Sequence, residues 1–249
     1  MSVAYLRELA GKNRTHQGNR HLAFILSAIA GAVNAGGFLA VGQYTSHMSG
    51  IISAMADHLA LGSVTLMLAG AACLFFFGAG AATSAVMINW SRRRHLHAEY
   101  AMPLMLEALL LLVFAVLGGN MVTHEWLFIP VTVILLCFVM GLQNAMITKL
   151  SRAEIRTTHV TGMVTDIGIE LGKMIYWNRH DYPEGRVHAD MAKLKNLSKL
   201  VCLFFLGGFV GALGFKHIGF VFGVPLAGTL VLLALIPVID DLRHLFRRD

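Results

Sequence analysis

The stretch IRTTHVTGMVTDIG, Ile155 to Gly168, begins where a long apolar run would leave a membrane. It gathers threonines, a histidine and an aspartate around two glycines. A second stretch, QYTSHMSGIISAMAD, Gln43 to Asp57, repeats the phrase near the start of the chain. Thr45-Ser46-His47-Met48-Ser49-Gly50 matches Thr157-Thr158-His159-Val160-Thr161-Gly162 at an offset of 112. Just upstream, Gly31-Ala32-Val33-Asn34-Ala35 matches Gly141-Leu142-Gln143-Asn144-Ala145 at an offset of 110. Two matches in one order at nearly one offset describe a duplicated chain.

The residues around these phrases set the solvent. Of 249 residues, 56% are hydrophobic and only 14% charged, against about 25% charged in an ordinary soluble domain. Apolar stretches close to the ~20 residues that cross a bilayer recur along the chain. A soluble fold of this length has no core large enough to bury them. The reading is an all-α polytopic membrane protein whose first partner is the lipid bilayer. The net charge of +6 then belongs to cytoplasmic loops. No nucleic-acid motif accompanies it, so no nucleic-acid partner is expected.

Each half parses alike. A long apolar helix (21–39; 126–150) leads to the polar phrase, then to a short helix (48–61; 160–176), then to two more long segments (64–90 and 102–121; 197–215 and 218–239). The expected organisation is a cytoplasmic tail at 1–20, read as retained rather than as a signal peptide, repeat 1 at 21–122, repeat 2 at 123–240 and a cytoplasmic tail at 241–249, all one membrane domain. Loop charge decides whether the short helices cross. If all eight segments cross, Arg92, Arg93, Arg94, Lys149, Arg152, Arg156 and Lys216 fall outside, 7 of the 20 Lys and Arg. If the short helices re-enter or stop half-way, only Lys216 does. The second arrangement wins. Each half then holds three crossings, so the halves enter from opposite faces as inverted-topology repeats, a plan recurrent in secondary transporters. Both termini are placed in the cytoplasm. An extended Gly36–Thr45 segment is expected to lead back to the midplane, its ~30 Å reach exceeding the ~15 Å required.

Helix N-termini present free N–H groups and a partial positive charge. Two such ends facing each other near the midplane would bind a small anionic or strongly hydrogen-bonding solute. The expected binding residues are Thr45, His47 and Ser49 on one side and Thr157, His159 and Thr161 on the other. Asn34 and Asn144 line the cavity or bond the interrupted backbone. Asp57, Asp166 and Glu170 are the candidates for proton coupling, because ionisable groups at membrane depth are costly and usually functional. For Glu170 the competing reading is a salt bridge with Lys173, three residues on. Glu107 is read as snorkelling at the cytoplasmic edge. His47 and His159 are two ligands from distant segments, too few for a metal, and no cofactor is expected. The cysteines Cys73, Cys137 and Cys202 read as buried free thiols. No nucleophile elbow or phosphate loop points to an enzyme. Gly207, Gly211, Gly214, Gly78 and Gly80 permit close helix approach within the subunit or between subunits, and the small size suggests a homodimer.

GLQNA and IRTTHVTGMVTDIG followed by ELGK, together with GAVNAGGFLAVG and HMSG, resemble the YoaK-like family of bacterial inner-membrane proteins, a domain-of-unknown-function family. The resemblance covers nearly the whole chain and implies a bacterial cytoplasmic-membrane protein. Members often carry Asn after the glycine of the first phrase, where this chain has Ile51. The expected half-helices also resemble the binding-site architecture of sulfate- and uracil-permease-type transporters. The functional expectation is therefore a small secondary transporter or permeation protein, against a non-transporting scaffold or sensor, or a passive channel.

Overall fold

The computed structural model describes residues 15–96, 98–119, 125–150, 158–177 and 186–245. Among these residues the regular structure is helical: α1 (His16–Val41), α2 (Met48–Ala60), α3 (Val64–Arg93), α4 (Ala101–Gly119), α5 (Glu125–Leu150), α6 (Val160–Ile175), α7 (Met191–Ile218), a 3-10 turn (Gly219–Phe222) and α8 (Gly223–Leu245). Among the described residues five spans are long and apolar enough to cross a membrane, and the last of them, Met191–Asp241, takes in α7 and most of α8. The outward residues of these helices include Phe75, Val116, Phe205 and Leu232, all strongly exposed, which suits a lipid environment because the backbone polar groups are satisfied within each helix. The short helices α2 and α6, of 13 and 16 residues, rise about 20–24 Å at 1.5 Å per residue. That falls short of a hydrocarbon core of roughly 30 Å.

Small residues set the closest helix pairs. A Cβ at Gly31 would collide with the Phe204 carbonyl oxygen, and one at Gly207 with that of Ala28. In the other pair, Gly141 meets the Phe77 carbonyl oxygen and Gly80 that of Phe138. Thus α1 lies along α7 and α3 along α5. The α1–α7 seam continues through Ser27 Oγ, which donates to the Leu200 carbonyl (2.9 Å), and Gly36 against the Phe215 ring. Residue numbers rise together along it, so these helices are parallel. They rise together from Phe77 and Gly141 to Asn89 and Lys149 as well, so α3 and α5 are also parallel. By contrast α4 and α8 are antiparallel: Ala98, just before α4, donates its N–H to Asp241 (2.8 Å), while Gly223 packs on Leu111 and Ala115.

One expectation fails here. Gly36 and Gly37 do not break the backbone; α1 runs unbroken through them to Val41, and the chain turns only at Gly42, whose φ of 70° is left-handed. Glycine inside a helix costs roughly 0.5–1 kcal/mol against alanine. The Phe215 ring occupies the space a Gly36 side chain would need, and Leu136 and Thr45 close on Gly37. Packing therefore holds the helix where glycine alone would loosen it.

One end of the bundle is polar. Arg92 donates to Glu99 (3.3 Å) and to the Tyr100 hydroxyl (2.8 Å), and Lys149 donates to Asn89 (2.8 Å). Asn19 reaches the Leu150 carbonyl at 3.5 Å. The starts of α1 and α4 and the ends of α3, α5 and α8 therefore share this basic face.

Candidate functional site

The polar phrases form the starts of the two short helices. His47 is the N-cap residue of α2 and His159 that of α6, and neither imidazole caps its own helix. The residue before each histidine reaches back to the preceding long helix. Ser46 Oγ donates to Asn34 Oδ1 (3.1 Å), and Thr158 Oγ1 donates to Asn144 Oδ1. Asn34 and Asn144 are paired by the repeat, and so are Ser46 and Thr158. The same hydrogen bond is made twice. Because Asn34 lies seven residues before Val41, α2 starts about 10 Å inside the end of α1. Asn144, six residues before Leu150, places the start of α6 about 9 Å inside the end of α5.

The two starts do not face each other. Gln143 lies opposite Leu26, its Nε2 at 3.5 Å from that carbonyl, and Leu136 lies opposite Gly37. Hence α1 and α5 cross antiparallel, and Asn144 sits near the level of Ile25. Asn34 is roughly nine residues further on, an axial separation of about 14 Å. Leu26, Ala30, Val33, Leu136 and Met140, all fully buried, fill the interval. Apolar packing wins here because an open polar gap at this depth would leave unsatisfied groups in hydrocarbon.

The other expected residues can be placed one by one. Thr45 is buried against Gly37 with its hydroxyl unpartnered. Ser49 and Thr161 are exposed, as are both histidines. Thr157 lies outside the described residues. Asp57 is exposed on α2. Asp166 pairs with Lys193 of α7 at 3.3 Å. Glu170 is buried; it accepts from Lys173 Nζ (2.9 Å) and from the Asp190 N–H (2.8 Å), linking α6 to the N-cap of α7. The Lys173 hydrogen bond, followed by that from the Asp190 N–H, holds the Glu170 carboxyl below its ordinary range. Cys73 and Cys137 are buried free thiols, whereas Cys202 is exposed on α7. That corrects the expectation for Cys202: an apolar run in a membrane protein turns one face to lipid rather than to the core.

A cavity of about 560 Å³ opens beside α2. Its walls come from the end of α1, from α2, from the first turns of α3 and from α5 near Pro130. Gln43, Tyr44, His47 and His58 give it a polar side; Ile51, Met55, Leu66 and Val133 make the rest apolar. Within it, the His47 ring covers Gly50, where a Cβ would collide with it. The first phrase thus borders a cavity whose described lining holds no residue of the second phrase. Among the described residues no group of three or more His, Cys, Asp or Glu converges as a metal set.

The residue read as snorkelling is instead buried. Glu107 of α4 is fully enclosed, and its Oε1 accepts from Gln143 Nε2 at 2.9 Å. Its location in a helix packed against α5 and α8 leaves no route by which the side chain reaches water. The signal was present in the sequence: Glu107 is the sole ionisable residue of α4, in an otherwise apolar helix.

Comparison with curated proteins and with solved structures returns no match. A family model described as protein of unknown function (DUF1275) matches residues 22–236, from the second turn of α1 to the middle of α8. With the eight described helices inside that match or cut by its edge, the chain belongs to the DUF1275 family of membrane proteins.

Proposed function

We propose that this chain is a small secondary transporter or permeation protein built from two inverted-topology repeats, and that it carries a small anionic or strongly hydrogen-bonding solute. One observation carries the reading: the bonds Ser46 to Asn34 and Thr158 to Asn144 anchor two half-helix starts in the same way. The helix directions support it. Within the first half α1 and α3 run oppositely to their counterparts α5 and α7, as inverted repeats require. In this arrangement α2 lies in the outer half of the membrane and α6 in the inner half. The solute enters the cavity beside α2 and meets His47 and the free N–H groups of that helix start. Because the two starts sit at different depths, the solute binds one half at a time, and exchange of exposure between the halves moves it across. The protein resides in the bacterial cytoplasmic membrane with both termini inside.

The packed apolar layer between the starts favours a second reading, a membrane scaffold or sensor that moves nothing. Uptake into proteoliposomes separates the two. For a transporter, a panel of small inorganic and organic anions gives saturable uptake of at least one member. His47→Ala then lowers uptake at least tenfold while thermal unfolding in detergent is unchanged. Uptake of no panel member, with His47→Ala altering only unfolding, supports the scaffold.

A further inference from the structure

The buried pair Glu107–Gln143 leaves two polar atoms without partners, Glu107 Oε2 and Gln143 Oε1. Both are acceptors, and they sit on side chains already joined by the bond from Gln143 Nε2 to Glu107 Oε1. Among the described residues no cation pairs with Glu107. Of the charged groups on the elements around it, Lys149 of α5 lies on Asn89, Arg92 of α3 on Glu99 and Asp241 of α8 on the Ala98 N–H at the basic rim, Arg93 and Arg243 are exposed, and Asp240 is half-buried beside Asp241 near the end of α8. On α1 the contact is the Leu26 carbonyl, a further acceptor. An ionised carboxylate would have one hydrogen bond and no counter-charge in an apolar interior, a state that desolvation strongly disfavours. One proton on Oε2 removes both defects. It neutralises the acid, and it donates to Gln143 Oε1, closing a ring of two hydrogen bonds between acid and amide.

We propose that Glu107 and Gln143 form a proton-binding site in the membrane interior, with Glu107 carrying the proton and Gln143 holding the protonated acid. Uptake adds one proton to Oε2 and one O–H···O bond; release returns that proton to water and leaves a carboxylate. The carboxylate is tolerated only when α4 parts from α5 or α8 enough to admit water or a cation. Proton binding does not depend on transport, whereas its use as the coupling step rests on the transport reading.

Infrared spectroscopy of the full chain in lipid vesicles tests the site directly. The carbonyl stretch of a protonated carboxylic acid is expected at neutral pH, shifted by deuterium exchange and lost in Glu107→Gln. In Gln143→Met the acid remains, but its band moves to higher frequency because the amide hydrogen bonds are gone. Absence of an acid band at neutral pH, or a band that survives Glu107→Gln, overturns the proposal. Should Glu107→Gln fail to fold, Gln143→Met decides alone, and an unmoved band overturns the pairing. The band reads the proton site and solute uptake reads the transport proposal, so each can fail separately.

Discussion

At the scale of single residues, the interior is set by what cannot be present. Gly31 and Gly141 let α1 and α5 approach carbonyl oxygens of α7 and α3. A methyl group there forces the helices apart. Gly31→Ala and Gly141→Ala are therefore expected to cost on the order of 1–3 kcal/mol each, as overpacking does, read as lowered thermal unfolding temperature in detergent. Gly78 is the control, because a Cβ there meets nothing within 4 Å. Gly78→Ala should be neutral or stabilise by about 0.5–1 kcal/mol through helix propensity. Which glycines were tight was not legible in the sequence: Gly78 and Gly80 stand two apart in the same apolar run, and only the seam with α5 separates their roles. The same limit applied to Glu107. Its isolation in an apolar helix was visible, but its depth depended on how α4 packs.

At the scale of elements, each short helix has a polar anchor at its start, and α6 has a second at its far end. Removing the asparagine from one anchor leaves a partly buried hydroxyl without its acceptor, which costs about 1–3 kcal/mol. Asn34→Ala and Asn144→Ala should each destabilise by an amount of that order. They should add when combined, because the anchors are separated along the bundle. Strong non-additivity in the double variant would show that the two starts communicate. At the other end of α6, Glu170 has a folded-state pKa held below its unfolded value of about 4.3. Its contribution is thus fully present above that unfolded value and is lost as pH falls through the lower folded value. Unfolding temperature should drop over that acidic window, and Glu170→Gln should flatten the drop; an unchanged profile contradicts the assignment. The element boundaries were largely readable, since apolar periodicity and the His-led phrases marked each start. The backbone at Gly36–Gly37 was not, because propensity favoured a break and the Phe215 ring, distant in sequence, overrode it.

At the scale of the whole molecule, the order of elements was readable from two short phrases and the positions of twenty basic residues. What sequence patterns left open was depth. Two matched phrases state that two sites are alike; they carry no information on whether the sites meet. The antiparallel crossing of α1 and α5 sets them about 14 Å apart along the bundle, with apolar side chains between. In the proposed arrangement α2 and α6 enter the membrane and return to the face they came from. Cysteine labelling with a membrane-impermeant maleimide, in a cysteine-free background, tests it most directly. Leu61→Cys, in the α2–α3 turn, should label only from outside intact cells. His188→Cys, in the α6–α7 connection, should label only in inside-out vesicles. The reverse pattern at either position would mean that the short helix before it crosses completely, and would overturn the proposed topology.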